Sequence, residues 1–219
     1  MYRILLVEDQ ELTRETLLRL LRKYFPDAEV KGVANEAAAG AILKEWEDDR
    51  IELDAAVLDL KLPRTEGGTA VVSDLCDLVA RLQPRAVVGH ITAYFRDKDV
   101  NDHLVDLHVK KAHKAGFTVD KTEQNWEDDL LRKLMNYRVE RKLDEAFDTA
   151  PGFRRRSARG WAGRSSATYR IASLADDISR YWKHLEPHLQ DRIRKNFDVQ
   201  VEQDKVYVGL GGISGTDPA

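Results

Sequence analysis

The chain has 219 residues, 42% hydrophobic and 33% charged, with a net charge of −3. That is enough for one or two ordinary cores. The single cysteine excludes an intrachain disulfide, and no apolar run reaches the roughly 18 to 20 residues a membrane span needs. Residues 1–136 carry 20 Lys and Arg against 26 Asp and Glu, a net −6, while residues 137–219 carry 15 against 12, a net +3. The opening MYRILLVEDQ turns acidic too soon for a signal peptide, so a soluble cytoplasmic protein is expected.

Tyr2 to Val7 is an apolar run of the kind that forms a central strand covered on both faces. Apolar residues then recur at helical spacing from Glu11 to Tyr24, and Pro26 ends the pattern. Ala28 to Val33 reads as a second strand. Asn35 is a suitable N-cap for an alanine-rich helix running to about Trp46. Ala55 to Leu58 is the third strand, Gly68 to Leu82 a third helix, and Ala86 to Ile91 a fourth strand. Asn101 would cap a helix ending near Ala115, with Gly116 at its C′ position. Phe117 to Val119 is a fifth strand, and Thr122 starts a fifth helix. Alternating β and α segments with short connections predict an α/β fold, a doubly wound five-stranded parallel sheet.

The chemistry gathers at the ends of those strands, where an open parallel sheet places its ligands. Glu8 and Asp9 follow the first run, Asp59 ends the third, Thr92 follows the fourth and Lys121 the fifth, with Pro63 and Gly67 shaping the loop beyond Asp59. Phosphoryl transfer needs a nucleophilic oxygen, a divalent cation and hydrogen-bonding or positive partners for the equatorial oxygens, and this set offers all of them. Each member also has a plainer reading. Asp59 can cap the turn before Pro63, Glu8 and Asp9 can cap the following helix, and Lys121 can be a surface lysine. His103, His108 and His113 are five apart, a step of about 140° around a helix, so they cannot share a metal-binding face.

At these residues, over positions 1 to about 125, the chain resembles the flavodoxin-like receiver domain of bacterial two-component response regulators. The resemblance implies that Asp59 accepts a phosphoryl group from a histidine kinase. It implies a Mg²⁺ site formed by Glu8, Asp9, Asp59 and the backbone carbonyl of Lys61, because three neighbouring carboxylates repel one another unless a cation intervenes. Thr92 would hydrogen-bond one phosphoryl oxygen, with room left by Ala93, and Lys121 would pair with another. Thr92 and Phe117 would serve as switch residues, with Thr118 also a candidate for the aromatic position. Lys61 and Tyr94 would flank the path of the hydrolytic water. Thr122 stands where the family usually has proline, and the connection from Thr92 to Lys121 is longer than the family norm. Catalysis would be limited to the domain's own phosphorylation and dephosphorylation.

Beyond residue 125 the fifth helix continues through Leu130, Leu131, Leu134 and Tyr137 toward Leu143 and Phe147, an extended connection over 126–150. Residues 151–172 read as an Arg-rich linker or arm, containing Arg154, Arg155, Arg156, Arg159, Arg164 and Arg170 and no acid or lysine. Ser173 would cap a helix, Pro187 begins another, and Val199–Val201 with Val206–Val208 form a hairpin about a Gln-Asp-Lys turn. Residues 173–210 are therefore expected to form a smaller, mainly helical domain ending in a β-hairpin, followed by a tail over 211–219. Such parts suit a winged helix-turn-helix. Gln190, Arg194, Lys195 and Asn196 would face DNA, and the Arg cluster would contact phosphates. The competing reading is a module that dimerises or binds a protein. The expectation is transcriptional output, with homodimerisation on phosphorylation.

Overall fold

Ile4, Leu5, Leu6 and Val7 are wholly buried, as a run apolar on both faces must be in the middle of a parallel sheet. They belong to strand β1 (Tyr2–Val7), which pairs in parallel with β2 (Ala28–Val33) and β3 (Ala55–Asp59). Two further parallel strands, β6 (Val87–Thr92) and β7 (Gly116–Asp120), extend the sheet, giving the order β2-β1-β3-β6-β7. Between β3 and β6 lies a two-stranded antiparallel pair, β4 (Lys61–Pro63) and β5 (Thr69–Val71). The computed structural model describes residues 1–63, 69–71, 73–94, 96–98, 100, 102, 116–149, 165–203 and 205–209. The chain divides into two compact units, Met1–Lys133 and Leu134–Ala219.

In the first unit, helix α1 (Glu11–Tyr24) buries Leu17, Leu18 and Leu21, and α2 (Glu36–Asp48) buries Ala39, Leu43 and Trp46. The Asn35 side chain accepts a 2.9 Å bond from the Ala38 amide, the N-cap its sequence predicts. Helix α3 (Ser73–Leu82) adds Leu75, Cys76 and Val79 to the core that α2 covers. Cys76 Sγ lies 3.3 Å from His90 Nε2 in the interior, and burial pushes the thiol up to about 12. These helix and strand bounds follow the sequence reading closely, with two corrections. The third helix starts at Ser73 rather than Gly68, because the β-branched run after Gly68 pairs with β4 as β5. The helix that follows β7, α4 (Trp126–Thr149), starts at Trp126 rather than Thr122. Asp120 Oδ1 accepts from both the Thr122 amide and its hydroxyl, turning the chain, and Asn125 adopts a φ of 63°, which asparagine tolerates.

The division between the units falls within α4. In the second unit, Leu134, Met135, Val139 and Leu143 of α4 are buried, as are Leu174, Ile178 and Tyr181 of α5 (Ser165–Tyr181). A 3₁₀ turn (Trp182–His184) leads to α6 (Pro187–Arg194), whose proline sits in the first turn, where its missing N–H costs nothing. Strands β8 (Asp198–Glu202) and β9 (Lys205–Gly209) close the unit as an antiparallel pair. Ser173 is not a helix cap: α5 begins at Ser165, and the Ser173 hydroxyl accepts instead from Lys142 Nζ at 2.7 Å. The hairpin turn excludes Lys205, which already pairs with Glu202, while Gln203 takes a φ of 52°.

The unit is held by a buried ionic cluster. Arg138 grips Asp177 with two bonds, Nε to Oδ2 at 2.7 Å and Nη2 to Oδ1 at 2.9 Å, and Lys142 Nζ lies 2.5 Å from Oδ2. Burial raises the Tyr181 hydroxyl above its usual range, with Arg138 and Arg180 beside the ring opposing it.

Candidate functional site

A 2-1-3-4-5 strand order reverses direction between its second and third strands, and the crevice beyond their carboxyl ends is where such sheets bind ligands. Here those strands are β1 and β3, and the register pairs Val7 with Leu58. Glu8 and Asp9 at the end of one therefore meet Asp59 at the end of the other. Their carboxylate oxygens lie within 4.8 Å of one another. Backbone bonds continue past the strands and fix the neighbours: Glu8 N to Val33 O at 3.0 Å, Leu60 N to Ile91 O at 3.0 Å and Lys121 N to Thr92 O at 2.8 Å.

Lys121 enters this cluster from the end of β7. Its Nζ lies 2.6 Å from Asp59 Oδ2 and 2.8 Å from Glu8 Oε2. Glu8 is fully buried and Asp59 nearly so, and Asp9 is half-buried. Burial raises both Glu8 and Asp59 above the usual carboxylate range, and the Lys121 ammonium offsets only part of that. Burial alone would lower Lys121, but the two carboxylates outweigh it and hold the ammonium above its usual value. Three carboxylates thus face one ammonium, a surplus of negative charge in a desolvated place.

The backbone amide of Lys61 donates to Asp59 Oδ1 at 3.2 Å, and the Gln10 amide donates to Glu8 Oε1 at 3.3 Å. Thr92 is buried, and its hydroxyl accepts a 3.0 Å bond from the Tyr94 amide. Arg14 Nη1 donates to the carbonyls of Glu8 at 2.8 Å and Asp9 at 3.2 Å, pinning the acidic loop. Nothing in the sequence singles Arg14 out.

Comparison with solved structures finds this architecture repeatedly. The N-terminal domain of an uncharacterized protein from Wolinella succinogenes matches with a TM-score of 0.50 at 18% identity, covering 66% of this chain and 99% of that one. The HemR receiver domain from Leptospira biflexa, non-phosphorylated, matches at 0.43 and 22%, covering 61% and 94%. The receiver domain of a sensor histidine kinase from Pseudomonas aeruginosa, with a magnesium ion in its active-site cleft, matches at 0.46 and 22%, covering 62% and 96%. No protein-family model and no curated protein matches the chain.

The first unit has the flavodoxin-like fold, a five-stranded parallel sheet in the 2-1-3-4-5 order. Within it, Glu8, Asp9, Asp59, Thr92 and Lys121 stand at the carboxyl ends of three neighbouring strands and the edge strand beside them. A hard cation fits the cluster. The acids offer oxygen donors within 4.8 Å of one another, two of them are destabilised as anions, and among the described residues the ammonium that bridges them is that of Lys121. Phe117 is the second residue of β7. It is paired with Gly89 of β6, its ring lies against that glycine, and Lys133 Nζ stands 5.9 Å from the ring centroid. Thr118 pairs with His90, and its carbonyl accepts from Lys133 Nζ at 2.8 Å.

A contact that the sequence does not announce ties Lys61 to Asp97. The Lys61 ammonium forms an ion pair with the Asp97 carboxylate and sits 4.8 Å over the ring of Tyr94.

In the second unit, Gln190 Nε2 donates to the carbonyls of Trp182 at 2.9 Å and Leu185 at 3.1 Å. Asn196 Nδ2 donates to Arg192 O at 2.7 Å. Arg194 lies 5.1 Å over the ring of Trp182, and Lys195 is exposed. Gly67, His103, His108, His113, Arg154, Arg155, Arg156, Arg159, Arg164 and the helix expected from Asn101 to Ala115 lie outside the described residues. The side chain of Arg170 does too. Among the described residues, no helix is long and apolar enough to cross a membrane.

Proposed function

We propose that the chain is a two-component response regulator whose Asp59 accepts a phosphoryl group from a histidine kinase. The observation that carries this reading is the Lys121 ammonium bridging Asp59 and Glu8, 2.6 and 2.8 Å away, beside Asp9 at the switch point of the sheet. An Asp59 carboxylate oxygen attacks phosphorus. The bond from phosphorus to the donor's leaving atom breaks, and the donor departs with the electron pair. Lys121 is poised to move from the carboxylate it now touches to an equatorial phosphoryl oxygen. The Thr92 hydroxyl accepts from the Tyr94 amide and so has its own hydrogen free to donate to another. Glu8, Asp9, Asp59 and the Lys61 carbonyl would hold Mg²⁺, which offsets the charge developed during transfer. The test is labelling by a small-molecule phosphodonor with Mg²⁺, followed by mass. Wild type should gain one phosphoryl group and Asp59→Asn none; equal labelling of the variant would put the nucleophile elsewhere.

For output, transcriptional control through DNA is the first reading. It is supported by the helix-helix-hairpin order of the second unit and by the exposed Arg194 and Lys195 at the end of α6. Affinity of the full chain for duplex DNA should fall steeply with salt, and replacing Arg154, Arg155 and Arg156 together should flatten that slope. Protein binding is the second reading. It is favoured by Gln190 and Asn196, whose amides are spent on backbone carbonyls. Absence of DNA binding at low salt would select it. Self-association on activation belongs to both readings, and sedimentation with and without a beryllofluoride mimic tests it.

A further inference from the structure

Lys61 carries a charge in the right place with the wrong partner. Its amide hydrogen already points at Asp59, 3.2 Å from Oδ1, so the side chain springs from the rim of the acceptor. The ammonium nevertheless turns to the far side of the crevice. It pairs with Asp97 and lies 4.8 Å over the Tyr94 ring. Tyr94 and Asp97 are themselves joined, the Asp97 amide donating to the Tyr94 carbonyl at 2.9 Å. Just before Tyr94, the Thr92 hydroxyl accepts the Tyr94 amide at 3.0 Å. The Lys61 side chain is 13% exposed and that of Asp97 42%, so their ion pair is partly screened by water.

Resting on the reading of Asp59 as phosphoacceptor, we infer that Lys61 is a second cationic ligand for the phosphoryl group and that Asp97 is the positioning residue that holds it in reserve. A phosphoryl group carries a charge near −2 against the single charge of Asp97. Lysine is a point charge on a flexible stem of four carbons, able to change partners without moving the backbone. Phosphorylation therefore draws the ammonium off Tyr94 and Asp97, which both follow Thr92 in the chain. Breaking the old pair costs part of what the new one gains, so Asp97 sets how tightly the crevice holds the group.

The test is titration of the full chain with beryllofluoride in the presence of Mg²⁺, comparing apparent affinities. Asp97→Asn should bind about threefold to tenfold tighter than wild type, the size of a partly buried ion pair no longer to be broken. Asp97→Glu, which keeps the pair, should bind as wild type does. Lys61→Met should bind more weakly, and adding Asp97→Asn to it should change nothing further. If Asp97→Asn tightens binding equally in the Lys61→Met background, the effect is general charge and the inference is overturned. It is overturned as well if Asp97→Asn binds no tighter than wild type. Failure of wild type to bind, or binding by Asp59→Asn as strong as wild type, would instead overturn the phosphoacceptor reading itself.

Discussion

The ring of Phe117 lies against the bare backbone of Gly89, so closely that a Cβ on Gly89 would stand 2.4 Å from Cζ and 2.6 Å from Cε2. The two are partners across β6 and β7. Gly89→Ala would push the ring out of its place, at a cost of about 1 to 3 kcal/mol for overpacking. Pairing it with Phe117→Leu should recover most of that loss in denaturant unfolding. A Gly89→Ala variant with an unchanged midpoint would show that the ring does not rest there.

Glu8 and Asp59 are expected to make the first unit less stable as pH rises. Burial raises both carboxyls, so between their unfolded and folded values the folded chain binds more protons. Stability then falls through that interval and stays reduced at neutral pH. Lys121, held above its usual value, keeps its contribution through neutrality and loses it at alkaline pH as the raised value is passed. Asp59→Asn should therefore melt higher than wild type at neutral pH without divalent cations, by about 1 to 3 kcal/mol. The gap should close in acid. Millimolar Mg²⁺ should stabilise wild type and leave the variant nearly unchanged.

The phosphorylated form should be long-lived. Lys61 and Tyr94 stand beside Asp59 and Thr92, and neither is a carboxylate or amide suited to orient an attacking water. Lys61→Asn with Tyr94→Glu should shorten the phosphoprotein lifetime without preventing phosphorylation. Decay matching wild type would show that these side chains do not control access.

The second unit should distinguish the two sides of its buried ion pair. Asp177→Ala strands Arg138, whose side chain is 1% exposed, and is expected to cost about 3 to 5 kcal/mol. Arg138→Met should cost less, because Asp177 keeps Lys142 at 2.5 Å. Equal losses in thermal unfolding would mean that Lys142 does not compensate.

Local signals carried the sheet. The buried run Ile4–Val7, the Asn35 cap and the proline after α1 each act within a few residues, so their effect can be read in the order of the chain. The strand-end rule likewise brings Glu8, Asp59 and Lys121 together, though Lys121 and Glu8 are 113 residues apart. The hairpin of β4 and β5 was hidden because Gly67–Gly68 resemble the break before a helix, while only pairing reveals that Thr69–Val71 is a strand. Asp97 was hidden for a different reason. A half-buried acid in a loop has no periodicity, and its partner Lys61 is 36 positions away. Ser173 misled because a good capping residue also fits a helix interior when a neighbouring lysine takes its hydroxyl.

Cys76 gives the molecule a chemical clock. It is the chain's only thiol, enclosed beneath α3 against His90, and its ionisation is pushed up to about 12. Thiol reagents attack the thiolate, so a native molecule offers them almost nothing at neutral pH. Alkylation under native conditions would therefore count the moments when α3 lifts from the sheet, and its rate would register any ligand that holds the first unit closed.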